Sequence, residues 1–323
     1  MFNVFFYEAF QEEEEAIKRY LPSTIQAGFT WKTVQECDDR FPPATLVSTR
    51  TQSIVPLAWK DQLTGILTRS TGYDHIHRYW LQCRKEIPCG HLPLYCHRAV
   101  AEQTMLLWMS LLRKLPQQIK NFSQFHRDGL TGQECQNKTL LVVGVGNIGY
   151  EVTKLAKALG MNVLGVDEVE KHSDVTYCSI EEGLPQANIV VCAMNLTQRN
   201  LAYFNYKRFQ LSQNGTFFIN ISRGELSPPS DLLRLLKEGK LGGIALDVYD
   251  KESLLATSLR TGQAINQREV LATLELAKHP HVIFTPHNAF NTQEAVERKA
   301  LHSVQQVEHF LNCQQFIWSV PQL

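Results

Sequence analysis

The spacing of hydrophobic positions changes twice along this chain. Up to residue 97 the apolar runs are short: MFNVFF (1–6), ATLVST (44–49) and TGILTR (64–69) predict strands, and EEEEAIKRYL (12–21) predicts a helix. The stretch HRAVAEQTMLLWMSLLRKL (97–115) then places Val100, Met105, Leu106, Trp108, Met109, Leu111 and Leu112 at helical spacing. Its apolar face is wide, which predicts a buried helix leading from one domain into the next. A turn-rich segment (125–138) follows, and from Thr139 the pattern becomes regular. LLVVGV, NVLGVD, ANIVVCAM, GTFFINI, GGIALDV and HVIFTP predict strands, with EVTKLAKALG and SDLLRLLKEG as helices among them. Near-continuous Val, Ile and Leu runs mark strands buried on both faces of a parallel sheet. The final stretch, 292–311, predicts a long amphipathic helix that returns the chain to the first domain.

The expected architecture is therefore α/β, with two Rossmann-like or flavodoxin-like domains, doubly wound parallel sheets and a cleft between them. The expected boundaries are 1–97 with 291–323 for a substrate domain and 98–290 for a nucleotide-binding domain. A length of 323 residues exceeds one ordinary core and suits this division.

Composition narrows the partners. Lys and Arg together number 32, as do Asp and Glu, so no net charge attracts nucleic acid or an anionic membrane. No apolar run reaches the length of a transmembrane helix, and the N-terminal ten residues lack the charge and cleavage pattern of a signal peptide. Eight scattered cysteines fit reduced thiols and a cytoplasmic location. Cys89, His91, Cys96 and His97 fall within nine residues, but no second pair accompanies them, and no metal site is expected.

The strongest chemical signal is VVGVGNIG. It sets Gly144, Gly146 and Gly149 in G-x-G-x-x-G directly after a strand, with Asn147 and Ile148 opening a helix. The first glycine permits the turn, the second lets backbone approach a pyrophosphate, and the third allows close helix–strand packing. Asp167 ends the next strand, 23 residues after Gly144, where a carboxylate bonds a ribose 2′-hydroxyl. Its charge, with Glu168 beside it, opposes a 2′-phosphate, so NAD is expected rather than NADP.

Three later strand ends carry ionisable groups: Arg223 after FFINIS, Asp247, Asp250 and Glu252 after GGIAL, and His287 after HVIFTP. Ligands of open α/β sheets bind beyond such carboxyl ends. An arginine, an acid and a histidine at three ends of one sheet form a plausible site.

On these residues, and on RSTGYDHI (69–76), LPLYCHRAVAEQT (92–104), INISRGEL (219–226) and HPHVIFTPHNAF (279–290), the chain resembles the NAD-dependent D-isomer-specific 2-hydroxyacid dehydrogenase family. The likeness runs from about residue 45 onward and is greatest to the D-lactate dehydrogenase branch. It implies a cytoplasmic homodimer, joined through the 97–115 region, that reduces a 2-keto acid to a D-2-hydroxy acid, with pyruvate the first substrate to consider. Arg223 would clamp the substrate carboxylate, His287 would be the acid/base, and Glu252 its partner. Thr71, Gly72, Tyr95 and Phe290 would line the substrate. Cys192, Ala193, Ile221, Ser222, Arg223 and Asp247 would join the glycines, Asn147, Ile148 and Asp167 at the cofactor.

The chain departs from the family pattern in CAMNLTQRN (192–200), which lacks a usual proline, at Cys96–His97 in place of Ser-Pro, and at His77 in place of Asp. Readings that stay open are a larger 2-keto acid, phosphite oxidation on the same residues, and an NAD-binding regulatory or scaffold protein on this fold.

Overall fold

The computed structural model describes residues 2–322. The chain divides into two compact units, Met1–Cys96 with Asn291–Leu323 and His97–Phe290.

In the first unit the elements are β1 (Val4–Phe6), α1 (Gln11–Tyr20), β2 (Ala27–Phe29), α2 (Val34–Cys37), β3 (Leu46–Thr49), β4 (Gly65–Thr68), α3 (Asp74–Cys83) and β5 (Cys89–Gly90). Its strands pair in parallel in the order β2-β1-β3-β4-β5, the flavodoxin-like arrangement. Every residue of β3 and β4 is buried, the polar Ser48, Thr49 and Thr68 included.

The second unit contains α4 (His97–Leu112), α5 (Leu115–Asn121), β6 (Thr139–Val143), α6 (Asn147–Ala158), β7 (Asn162–Val166), β8 (Thr176–Tyr177), α7 (Ile180–Gly183), β9 (Ile189–Cys192), α8 (Tyr206–Phe209), β10 (Thr216–Asn220), α9 (Pro229–Lys237), β11 (Leu241–Leu246), α10 (Glu252–Thr261), α11 (Arg268–Leu276) and β12 (Val282–Phe284). Seven parallel strands run β12-β11-β10-β9-β6-β7-β8. The chain enters at β6, adds β7 and β8 on one side, then returns to build outward from β9. The order therefore reverses between β6 and β9, where ligands of such sheets bind. The core cluster joins strand residues such as Leu141, Val190, Phe218 and Ile244 to Leu232, Leu235 and Leu236 of α9.

The helix expected over 97–115 stops at Leu112. Lys114 adopts a left-handed conformation (φ 52°), and Pro116 lies in the first turn of α5. Proline is tolerated there but not in a continuing helix interior, so the apolar stripe is split between two helices.

The last helix, α12 (Gln293–Cys313), belongs to the first unit. Its start is capped by Thr292, whose Oγ1 accepts the Ala295 N–H at 3.2 Å. Its Phe310 fills a notch over Gly65, where an added Cβ would stand 2.4 Å from the ring. The buried Gln306 ties the C-terminal segment down: its amide donates to the carbonyl of His91 (2.8 Å), and its Oε1 accepts the Ile317 N–H (2.8 Å).

Candidate active site

At the β6–α6 turn each glycine has its own steric reason. Gly144 has φ +93°, and a Cβ there would lie 2.5 Å from the Met194 nitrogen. A Cβ on Gly149 would come 1.9 Å from the carbonyl oxygen of Gly144. Gly146 faces open space, with no atom within 4 Å of where its Cβ would be. Gly146 and Asn147 are exposed at the helix start, and Ile148 is half-buried.

Asp167 lies exposed just past the end of β7. Its Oδ2 accepts the Val145 N–H (2.6 Å), and its Oδ1 accepts the Val169 N–H (3.1 Å). The carboxylate is thus held against the glycine turn, and each oxygen keeps a further lone pair for a ribose hydroxyl. An open cradle at Gly146 beside a fixed carboxylate fits a dinucleotide lacking a 2′-phosphate.

Across the reversal point, the Ala193 N–H donates to the Val143 carbonyl (2.8 Å). Cys192 is fully buried, and burial pushes its thiol up to about 12. Ile221 is buried; Ser222 beyond it is half-buried, and its hydroxyl donates to the Met194 carbonyl.

Arg223 follows β10 on a turn that Asn220 organises. Fully buried, Asn220 donates from Nδ2 to the Arg223 carbonyl (2.9 Å) and accepts the Ser222 N–H on Oδ1 (3.0 Å). The half-buried guanidinium donates from Nη1 to the Ser222 carbonyl at 2.9 Å. A Cβ on Gly224 would overlap the Tyr249 carbonyl carbon at 1.8 Å, so the turn after β10 packs on the loop after β11. Glu252, the first residue of α10, closes that same loop.

Glu252 and His287 are directly paired. The His287 Nδ1 stands 2.8 and 3.0 Å from the two carboxylate oxygens. A carboxylate only accepts, so Nδ1 carries the proton and Nε2 is the nitrogen left for exchange. His287 has φ +52°, an uncommon left-handed conformation for a side chain of this size. The surrounding turn imposes it. Asp247, 1% exposed, accepts from Thr285 Oγ1 (2.5 Å), the Asn288 N–H (2.8 Å) and the Ala289 N–H (2.9 Å). Burial pushes the Asp247 carboxyl up, and these three hydrogen bonds oppose the rise. The Tyr249 hydroxyl also donates to the Thr285 carbonyl at 2.8 Å. Asp247, which the sequence assigns to the cofactor, thus also anchors the histidine turn. Thr285, Tyr249 and Asn220 escaped the sequence reading, because nothing separates a polar residue that shapes a turn from one on a surface. Phe290, three residues on, is buried.

In the first unit, the loop after β4 is fixed from two sides. The Ser70 hydroxyl donates to the Gly72 carbonyl (2.7 Å) and therefore accepts from Thr68 Oγ1 (2.7 Å). Thr68 in turn takes its hydrogen bond from His75 Nε2 (2.9 Å). On the other side, His91 Nδ1 lies 3.1 Å from the Thr71 carbonyl, so it is the donor, and peptide planarity turns the Gly72 N–H away from it. Burial lowers the His91 pKa, which favours its neutral form. Thr71 Oγ1 donates to the Leu92 carbonyl (3.2 Å) and meets Cys96 Sγ at 3.5 Å. His91 and Cys96, members of the suspect Cys/His cluster, thus shape this loop. Tyr95 beside them is 4% exposed, and its carbonyl accepts from Arg298 Nε (2.8 Å).

Comparison with known proteins agrees in direction. The profile of the family described as D-isomer specific 2-hydroxyacid dehydrogenase, NAD binding domain, matches residues 105–289. The chain is 29% identical over 309 residues to a D-lactate dehydrogenase of Streptococcus agalactiae, covering 92% of each. It is 32% identical over 253 residues to an aromatic 2-oxoacid reductase of Clostridium sporogenes, covering 76% of this chain and 75% of that one. Among solved structures, a D-lactate dehydrogenase of Aquifex aeolicus complexed with NAD and lactic acid superposes with a TM-score of 0.85 at 28% identity. That match covers 99% of this chain and 100% of the other.

Proposed function

Since this chain belongs to the D-isomer specific 2-hydroxyacid dehydrogenase family, an NAD-dependent oxidoreductase family, we propose that it reduces a 2-keto acid to the D-2-hydroxy acid with His287 as acid/base. Pyruvate, the smallest methyl-bearing member of that class, is the reference substrate. The observation that carries the reading is the His287–Glu252 pair at 2.8 Å on a strained turn. Such a pair fixes the imidazole tautomer and orients Nε2, as proton transfer to a developing alkoxide requires. Strain of this kind persists only where surrounding contacts over-determine it, as the Asp247 bonds do.

Arg223 is the group to hold the substrate carboxylate, through two parallel N–H donors. Thr71, Gly72 and Tyr95 of the first unit, and Phe290 of the second, are assigned to the substrate as well. Gly144, Gly146, Asn147, Ile148 and Gly149 would hold the pyrophosphate of NAD, and Asp167 the ribose. Ala193, Ile221, Ser222 and the Cys192 backbone would line the remainder. The hydride is supplied by NADH when bound.

We read the protein as a homodimer. Ile119, Phe122 and Phe125, on α5 and the turn after it, are 68%, 76% and 72% exposed, more apolar surface than an isolated helix end usually shows to water. A cytoplasmic location is proposed from the free thiols Cys83, Cys89, Cys96 and Cys192 in the interior. Among the described residues no helix is long and apolar enough to cross a membrane.

Cofactor selectivity tests the nucleotide half of this reading. Wild-type enzyme should consume NADH with a 2-keto acid and use NADPH poorly, and Asp167→Ala should narrow that gap. Equal use of both cofactors by the wild type would remove the role given to Asp167.

A further inference from the structure

The loop that follows Asp167 is tied to α6 by an aromatic stack. Residues 167–171 are all exposed, Val169 among them at 55%, so apolar burial does not shape this stretch. Asp167 Oδ1 accepts the Val169 N–H (3.1 Å), and the Val169 carbonyl accepts the Lys171 N–H (2.9 Å). His172 then gathers the loop. Its N–H donates to the Tyr177 hydroxyl of β8 (3.3 Å), and its carbonyl accepts the Val175 N–H (3.1 Å). Its ring lies flat on that of Tyr150, with centroids 3.7 Å apart and planes 4° from parallel. Tyr150 belongs to α6, the helix that the glycine turn opens. The Lys154 ammonium stands 5.0 Å from the centre of the Tyr150 ring, and the Tyr150 hydroxyl donates to Asp174. Both stacked residues are half-buried.

A carboxylate refuses a 2′-phosphate by repulsion that grows as the distance shortens, so it must be held in place to discriminate. A mobile one would swing away from the added charge. The Val169 N–H that helps to fix Asp167 is placed by the course of residues 169–172, and that course ends on the Tyr150 ring. We propose that the Tyr150–His172 stack is the positioning contact of cofactor selection. It joins the loop bearing Asp167 to the helix behind the pyrophosphate site, and so holds the carboxylate where NAD is accepted and NADP refused. This rests on the ribose role given to Asp167. Asp167 makes the contact with the cofactor, and the two rings act through it. The other link between loop and helix is the ion pair of Lys157 with Asp174 Oδ2 at 2.9 Å. It attaches only the far end of the loop and, near the surface, contributes little.

The test is fluorescence titration of the full chain with NADH and with NADPH, in the absence of keto acid. Tyr150→Leu and His172→Ala remove the stack, whereas Tyr150→Phe and His172→Phe keep an aromatic pair. Thermal unfolding verifies that each variant is folded. In the first two, the Kd for NADH should rise by about 2- to 10-fold, as for a lost aromatic contact, while the Kd for NADPH stays level or falls. The preference for NADH therefore narrows. The two Phe variants should retain the wild-type preference, since the ring contact survives. An unaltered preference in Tyr150→Leu and His172→Ala, or a parallel loss of affinity for both cofactors, would overturn the inference alone. Equal binding of both cofactors by the wild type would overturn it together with the role given to Asp167.

Discussion

At the residue scale, the account turns on three side chains whose positions are set by others. Glu252 holds the proton-bearing Nδ1 of His287, so replacing it with a neutral isostere should lower kcat more than it raises KM. Glu252→Gln is therefore expected to reduce kcat by about 10- to 1000-fold with NADH affinity retained; an unaltered kcat would show that the pair is structural only. Arg223→Lys keeps the charge but loses the fork. The expected effect is a rise in keto-acid KM of about 10- to 100-fold, read from steady-state kinetics, and an unchanged KM would exclude Arg223 as the clamp. His287 and Arg223 could be read from sequence because each ends an apolar run in a sheet that also carries G-x-G-x-x-G. Asp247 was legible as a polar strand end, but its attachment to the His287 turn was not. That attachment depends on a backbone with φ +52° at His287, which no residue pattern announces.

At the element scale, the β6–α6 turn leaves no room for a side chain at Gly144 or Gly149. A methyl group on Gly149 would meet the Gly144 carbonyl at 1.9 Å, and a backbone oxygen cannot move aside as a side chain can. Gly149→Ala should cost about 1–3 kcal/mol and weaken NADH binding as the turn shifts. Thermal unfolding and NADH fluorescence titration measure the two effects, and normal values of both would contradict the packing described. The strands of this unit were legible because burial on both faces leaves continuous apolar runs. The helix expected over 97–115 was overextended for a physical reason: its apolar stripe continues through Leu115 while the backbone breaks at Lys114. The two-residue strands β5 and β8 are too short for any periodicity to register. The buried Glu13–Arg69–Lys299 cluster was hidden because its members lie on three distant segments, and a run of four glutamates at a helix start gives no sign that one of them is buried.

At the scale of the whole molecule, that cluster links stability to pH. Burial alone would raise the Glu13 carboxyl, but Arg69 and Lys299 outweigh it and bring it down to about 2 from an ordinary 4.5. Its ionised form therefore stabilises the fold fully above pH 4.5, and that contribution is lost as pH falls from there toward 2. Lys299 behaves oppositely. Burial lowers it to about 7 from 10.5, so between those values the unfolded chain binds a proton the native one does not, and stability rises with pH. Urea unfolding across this range should show the rise in the wild type and a flatter profile in Lys299→Met; identical profiles would contradict the lowered titration of the buried amine. The claim on which everything else depends is that His287 protonates a keto acid as NADH reduces it. It is tested most directly by following NADH consumption with 2-keto acids in wild type and His287→Ala and determining the configuration of the product. The expected result is a D-2-hydroxy acid from the wild type, with turnover reduced by about 100- to 10 000-fold in the variant at undiminished NADH affinity. An L-product, or near-normal turnover in His287→Ala, would contradict it.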